Sequence, residues 1–288
     1  MTIGSGLARL DGYPFEVRYS NGSLNRARAS ADVVAEAYSY FRGLFSGVEP
    51  DIAVIVADES DWESRQPYGL PYFNDDEGQI RPGIVVMPAG RGDFWVEMGD
   101  DLLAGSSRDR ELLLATYPDG EGGLDLQPFF DLVTIHELGH AFEALGHLRL
   151  PTFWLSEIFA NLCLHAYVAT NRADSLGTLE VLSKVGERSD HLDARFRAVG
   201  FHTLEQLEDH YTGGDDPMSP LNYVWYQYRW QRLAAAMFEA DGEVGLIHWW
   251  EYFQSAERNF PSKASATLAP LLAAEVSETL GRAIQEWR

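Results

Sequence analysis

Two histidines with a glutamate between them give this sequence its clearest chemical signal, in the segment His136-Glu137-Leu138-Gly139-His140. In a helix, residues four apart lie one turn apart on the same face, so both imidazoles can reach one metal ion. The glutamate after the first histidine projects beside that ion, where its carboxylate can take a proton from a water molecule. The spacing therefore predicts a metal site with His136 and His140 as ligands and Glu137 as general base.

The residues around this segment indicate a helix. Apolar side chains recur at helical spacings within it and on both sides, at Leu132, Val133, Leu138, Phe142 and Leu145. Gly146 marks the end of the predicted helix. Because chance alone produces the motif in some chains, the downstream sequence must supply the rest of a metal site.

A second predicted helix carries the next acidic side chain that can reach the two histidines. It contains the segment WLSEIFAN, in which the glutamate is Glu157. The chain between the two helices is long enough to turn and run back antiparallel, which would place this carboxylate opposite the imidazoles. We therefore predict Glu157 as the third ligand. The alternative is an ordinary helix carboxylate, buried or solvated.

The segments HELGH and WLSEIFAN together resemble the gluzincin class of zinc peptidases. The second segment is similar to the WLNEGFA segment of the metallo-aminopeptidases and, more distantly, to thermolysin-type enzymes. The resemblance covers roughly thirty residues, and the loop between the motifs is slightly shorter than in the aminopeptidases, so exopeptidase activity is not implied. It implies a zincin-like fold and a zinc ion held by His136, His140 and Glu157, with a fourth position for water.

Neighbouring residues offer alternative or supporting roles. The rise of a straight helix prevents Glu143 from sharing an ion with both histidines. His147 is an alternative third ligand of the metzincin type, although the glycine and last histidine of that pattern stand at other offsets. The resemblance suggests that Asn161 orients the first histidine ligand, with an ordinary helix–helix hydrogen bond as the alternative. His165 would either line the site or pack in the core.

A tyrosine on a downstream helix is the second predicted catalytic residue. Gluzincins commonly present a tyrosine or histidine from such a helix to stabilise the oxyanion, and the resemblance gives this role to Tyr223. The alternative is core packing, because Tyr223 belongs to an apolar helical stripe that continues to Met237. Lesser candidates for the same role are Tyr226, His210 and Tyr211.

Composition limits the classes of partner. The 288 residues, 45% of them hydrophobic, can bury a core in one or two domains. The net charge of −22 opposes binding to nucleic acid or to an anionic membrane. Cys163 is the only cysteine, which excludes an internal disulfide framework and suits a reducing compartment. With no apolar run long enough for a signal peptide or a membrane span, we expect a cytoplasmic protein.

The elements that position the site divide the chain near residue 127. Before it we predict strands at 13–20, 52–57 and 84–87, a helix at 30–45 capped by Ser30, and a short helix at 108–116. The strand at 84–87 is either the edge along a substrate cleft or an interior strand. The predicted helices after it are 127–146, 154–170, 176–187, 203–212, 219–240, 243–257 and 265–286.

These elements predict an α+β, zincin-like fold. Residues 1–126 would form a lobe whose mixed sheet packs on the histidine-bearing helix, and residues 127–288 a mainly helical lobe that carries the metal motifs. We expect one catalytic unit with the metal at the junction of the two lobes.

The predicted function is that of a zinc metallopeptidase, which hydrolyses peptide or protein substrates with metal-activated water and Glu137 as base. Two alternatives stay open. One is a zincin-fold binding or regulatory module without catalysis, against which the intact Glu137 argues. The other is a metal hydrolase of a non-peptide amide or ester, in which the same polarised water would act.

Overall fold

The computed structural model describes residues 6–62, 68–74, 82–189, 201–213, 220–255, 260 and 262–287. Within these ranges the protein is α+β and mainly helical, with a mixed five-stranded sheet. Contacts along the chain divide it into two compact units. The first comprises Met1–Leu103 with Tyr117–His147, and the second Ala104–Thr116 with Leu148–Arg288. The helix that carries His136 is grouped with the sheet, whereas the sequence-based division at residue 127 assigned it to the helical lobe.

The sheet belongs to the first unit. Its strands are β1 (Ala8–Leu10), β2 (Glu16–Tyr19), β3 (Ile52–Ala57), β4 (Tyr72–Asn74) and β5 (Gly83–Pro88). Their order is β1-β2-β3-β5-β4, with β2, β3 and β5 parallel and the two outer strands antiparallel to their neighbours. Every residue of β3 and β5 is buried, as their continuous apolar runs predict. The interior position predicted as one alternative for 84–87 is therefore confirmed, and among the described strands β1 and β4 form the two edges.

The helices follow the sequence-based prediction closely after residue 127. They are α1 (Leu24–Leu44), α2 (Asp93–Leu103), α3 (Ser107–Thr116), α4 (Gln127–Leu145), α5 (Phe153–Asn171), α6 (Leu176–Arg188), α7 (Leu204–Gly213), α8 (Pro220–Gln254), α9 (Ser265–Glu275) and α10 (Glu278–Gln285). The predicted break in α8 is confirmed at Gly242, where φ is 59°. The single helix predicted at 265–286 is divided at Val276 and Ser277, and Ser277 caps α10.

Three details of the N-terminal prediction are wrong. Helix α1 begins at Leu24, so Ser30 is buried inside the helix and does not cap it. The preceding segment LNRARA consists mostly of good helix formers, which extend the helix past the serine. Helix α2 and strand β4 are absent from the sequence-based prediction, because glycine and aspartate obscured the helical period of α2 and the three residues of β4 are too few to show a period.

Helix α4 is anchored in the first unit through the side opposite its histidines. The Phe142 ring lies among Tyr38, Phe41 and Phe45 of the α1 region, with centroid distances of 5.4, 5.5 and 5.7 Å. Such aromatic contacts add to the free energy gained from apolar burial. Helix α4 also packs on β4 and β5. The helix that presents His136 and His140 is therefore held on both a helix and the sheet.

The second unit is built around α5, whose side chains are buried along nearly its whole length. Helix α5 packs mainly on α8, and α6 packs on α8 beside it. Large buried aromatic residues fill this core: Trp154, Trp230, Trp249, Trp250, Tyr167 and Tyr226. None of the helices in the described ranges combines the length and apolar character needed to cross a membrane.

Two glycines of α6 test this packing. A Cβ added at Gly186 would lie 2.1 Å from ring atoms of Tyr228, whereas a Cβ at Gly177 would meet nothing within 4 Å. Because the Tyr228 ring is buried, we expect Gly186→Ala to destabilise the protein by about 1–3 kcal/mol, the usual cost of overpacking. Gly177→Ala should stabilise it by about 0.5 kcal/mol through helix propensity. Thermal unfolding of both variants measures the difference, and equal midpoints would contradict the α6–α8 packing.

Candidate metal centre

The two histidines of α4 meet through their outer ring nitrogens. Nε2 of His136 lies 3.1 Å from Nε2 of His140, and the ring planes are inclined by 82°. Two neutral imidazole lone pairs do not face each other at this distance unless a proton or a cation lies between them. His136 is only 5% exposed, so bulk water does not readily separate the pair. The arrangement provides two nitrogen donors aimed at one point.

Glu157 of α5 completes a group of three ligands. One donor atom from each of His136, His140 and Glu157 lies within 4.8 Å of the other two, and the part of the chain that the structure describes contains this one group of its kind. Glu157 is 3% exposed and His136 is buried as well. The alternative of a solvated Glu157 carboxylate is therefore wrong. These three side chains can hold a metal ion.

The start of α5 fixes the position of Glu157 along the helix. The Thr152 hydroxyl accepts a hydrogen bond from the Leu155 amide at 3.4 Å, which caps the helix. The Phe153 amide donates to Oε2 of Glu208 at 2.7 Å. A carboxylate at this end of a helix also interacts favourably with the helix dipole. Both contacts lie within the turn that precedes Glu157.

The Glu157 carboxylate is held by two neutral donors from α8. The Tyr223 hydroxyl donates to Oε2 at 2.9 Å, and Nε2 of Gln227 donates to the same oxygen at 2.6 Å. Hydrogen bonds to a buried carboxylate stabilise its charged form. Because these donors are uncharged, they stabilise the negative charge without cancelling it. Tyr223 thus lies beside the metal group, while its predicted role as a catalytic donor stays a prediction.

Gln227 is a site residue that the sequence analysis missed. Its Nε2 also donates to the Tyr223 hydroxyl at 2.7 Å, and its Oε1 accepts from Nδ2 of Asn161 at 2.9 Å. The available signal was its spacing, since residues i and i+4 such as Tyr223 and Gln227 share one helix face. Asn161 is 4% exposed, and its Nδ2 also donates to the Glu157 carbonyl at 2.8 Å.

Glu143 supports a histidine from the side opposite the candidate ion. Its Oε2 lies 3.3 Å from Nδ1 of His140. A carboxylate that accepts from Nδ1–H fixes the ring tautomer and leaves Nε2 free of its proton for a metal. Helix geometry excluded Glu143 as a ligand in the sequence analysis, and the same geometry places it against the other nitrogen of the ring.

The competing histidines do not join the metal group. His147 is exposed, with φ of 62°, and lies outside the group of three ligands among the described residues. His165 is buried and packs against Phe238, with ring centroids 5.5 Å apart. Its Nδ1 atom lies 3.4 Å from Nε2 of Gln231. Burial lowers the pKa of the His165 imidazole. His165 is therefore a neutral core histidine, as one of its two predicted alternatives stated.

The lesser candidates for oxyanion stabilisation have other surroundings. The Tyr226 hydroxyl donates to the Thr203 carbonyl at 2.8 Å, and burial raises the pKa of this phenol. The His210 ring packs against Phe201, with centroids 5.0 Å apart. The Tyr211 side chain lies outside the described residues. Tyr226 thus has the core role that the alternative prediction gave to this face of α8.

Comparisons with protein-family models, with curated proteins and with solved structures find no match for this chain. The resemblance to gluzincins therefore rests on the segments HELGH and WLSEIFAN. What the site can do follows from its own side chains.

A zinc titration tests the ligand set. The parent protein should bind one equivalent of zinc. His140→Ala removes a ligand, so it should lower the zinc affinity by more than the roughly 10–100-fold that is typical when a residue that hydrogen-bonds a ligand is lost. His147→Ala is the matched control, since this exposed histidine lies outside the metal group, and it should bind zinc like the parent. Competition against a chromophoric chelator gives each affinity. Weakened binding in the His147 variant with unchanged binding in the His140 variant would reverse the assignment.

Proposed function

We propose that this protein is a zinc-dependent metallopeptidase with a zincin-like catalytic fold. The observation that carries the proposal is the group of three ligand atoms within 4.8 Å of one another, on a helix that also bears Glu137. Two nitrogens and one carboxylate oxygen, with a fourth position left for water, are the donor set of catalytic zinc sites.

The spacing of the donors fits zinc. Ligand nitrogens at about 2.05 Å in a tetrahedral site lie roughly 3.3 Å apart. The observed distance between the two Nε2 atoms is 3.1 Å, so only a small adjustment is needed. Calcium and magnesium prefer oxygen ligands, which makes a site with two imidazoles a poor match for them.

Glu137 supplies the proton transfers. Zinc, when bound, would polarise the scissile carbonyl and lower the pKa of a bound water to about 7. Glu137 takes one proton from the water as the water oxygen forms the new bond to the carbonyl carbon. The same carboxylic acid then gives this proton to the amine as the carbon–nitrogen bond breaks. Glu137 is 8% exposed, so its carboxylate lies beside His136 on α4 in surroundings that are largely shielded from bulk water.

Tyr223 is the proposed donor to the oxyanion. Its hydroxyl has one proton, which the Glu157 carboxylate accepts at 2.9 Å. When negative charge develops on the substrate oxygen, a small rotation about the phenol C–O bond redirects this proton to it. Gln227 continues to donate to Glu157 at 2.6 Å, so the ligand does not lose its support.

The sheet edge favours an extended peptide as substrate. Strand β4 is one of the two edge strands among the described strands, and it packs against α4, which carries His136 and His140. Gly83 permits this approach, because a Cβ there would lie about 3 Å from Phe73 of β4 and from Leu145 of α4. An edge strand can hydrogen-bond an added peptide strand. A small ester or amide has no extended backbone to form hydrogen bonds with this edge strand, so a peptide is the preferred substrate class.

Glu137→Gln separates catalysis from metal binding. The variant should keep the zinc affinity of the parent, since Glu137 is not a ligand, and should lose roughly 10²–10⁴-fold in kcat because the general base is absent. A library of internally quenched peptides, screened first with the parent, supplies the substrate for this comparison.

The controls for this test distinguish the alternatives. His140→Ala should lose both zinc and hydrolysis. Equal cleavage by the parent and by Glu137→Gln would refute the general-base role. A parent that binds zinc yet cleaves no peptide would favour the binding module, and cleavage of non-peptide esters or amides alone would favour the other hydrolase class.

Tyr223→Phe tests the oxyanion donor. At saturating zinc we expect kcat to fall by about 10²-fold, the low end for loss of one oxyanion donor, with little change in KM. The matched control is Tyr226→Phe, whose hydroxyl donates to a backbone carbonyl in the core. The control should lower the unfolding midpoint without lowering kcat at 25 °C. A Tyr223→Phe variant that retains full kcat removes Tyr223 from the mechanism.

A further inference from the structure

We infer that Asn161 is a positioning residue whose amide sets the direction of Gln227, so that Gln227 presents its N–H groups to the Glu157 carboxylate. This inference rests on the proposed metal site and states how two residues beside it act together on Glu157. It gives Asn161 a function directed at the third ligand, which differs from the support of the first histidine that the resemblance suggests.

The first step fixes the orientation of Asn161. One of the two terminal atoms of its side-chain amide lies 2.8 Å from the carbonyl oxygen of Glu157, one turn earlier on α5. A backbone carbonyl can only accept hydrogen bonds. The atom of Asn161 that faces it must therefore be the donor Nδ2, and the reverse orientation would bring two acceptors together.

The second step transfers this direction to Gln227. The same Nδ2 atom lies 2.9 Å from one end of the Gln227 amide. Because Nδ2 is a donor, the end that it contacts must be the acceptor Oε1. The other end, Nε2, then points to Glu157 Oε2 at 2.6 Å and to the Tyr223 hydroxyl at 2.7 Å. Both N–H groups of Gln227 are used on the ligand and on its second donor.

The result is a closed loop from the backbone of Glu157 to its own side chain. It begins at the Glu157 carbonyl, passes through Asn161 and Gln227, and ends at the Glu157 carboxylate. Asn161 is 4% exposed and Glu157 3%, so water is poorly placed to replace a member of the loop. A buried polar network of this kind is stable only when each member is satisfied.

Asn161→Asp gives the decisive variant because two physical effects predict opposite results. An added negative charge near a cation site should by itself strengthen zinc binding. In the loop, however, the carboxylate has no donor for the Glu157 carbonyl and accepts from Gln227, which turns Oε1 of Gln227 toward the Glu157 carboxylate. The loop therefore predicts that zinc affinity falls by about 10–100-fold, the range for lost outer-shell support.

The experiment compares Asn161→Asp, Asn161→Ala and Gln227→Met, together with the two double variants. Zinc affinity is measured by chelator competition, and the visible absorption of the Co²⁺-loaded proteins reports the ligand geometry. Because the Asp substitution acts by turning Gln227, it should weaken zinc binding more than Asn161→Ala in the parent background. In the Gln227→Met background no amide can turn and only the added charge remains, so Asn161→Asp should bind zinc at least as tightly as Asn161→Ala.

The outcomes separate this inference from the proposed function. Asn161→Asp with zinc affinity equal to or above that of the parent overturns the inference and leaves the metallopeptidase proposal intact. A parent that binds neither zinc nor Co²⁺ overturns both. If circular dichroism shows that Asn161→Asp is unfolded, the cycle of Asn161→Ala, Gln227→Met and their double variant decides the question: losses of zinc affinity that do not add support the loop, and additive losses refute it.

Discussion

The burial of the Glu157 carboxylate is the constraint on which the rest of the site depends. A carboxylate that is 3% exposed loses most of its hydration, and a desolvated ion costs several kcal/mol unless the protein replaces that hydration. Tyr223 and Gln227 replace part of it through two hydrogen bonds to Oε2. The imidazoles of His136 and His140, with donor atoms within 4.8 Å of the carboxylate, define where a cation can balance the remaining charge.

Metal ligands are useful only if their helices are rigid, and each helix here is fixed by contacts of its own unit. In α4, Phe142 is enclosed by three aromatic rings from the α1 region, and Arg26 of α1 pairs with Asp131. In α5, the Thr152 cap and the Glu208 carboxylate fix the first turn, and the helix is buried along α8. Such supports hold ligand side chains near one geometry before any ion is bound.

The sequence predicts much of this site because helical spacing is a local property. The spacing of His136 and His140, the bounds of α5 and the break at Gly242 follow from periodicity, end signals and residue type. Gln227 and the true contacts of Asn161 did not follow, because both depend on how α8 lies against α5, which no local pattern encodes. Strand β4 was missed for a related reason: three residues are too few for a period, and pairing with β5 defines them as a strand.

The chemical identity of the donors to Glu157 explains why this group fits a cation better than a structural ion pair. An arginine at the position of Gln227 could form two hydrogen bonds to the carboxylate, but its charge would cancel the charge that attracts a metal. Glutamine gives the same kind of hydrogen bond without charge, and tyrosine does likewise. The disadvantage of glutamine is its orientation, since a side-chain amide can present either its oxygen or its nitrogen to the carboxylate. Asn161 removes that ambiguity because its own amide is directed by a backbone carbonyl, which can only accept hydrogen bonds. The two neutral donors, with Asn161 directing Gln227, therefore form one hydrogen-bond network that keeps the charge of Glu157 and fixes the position of its carboxylate.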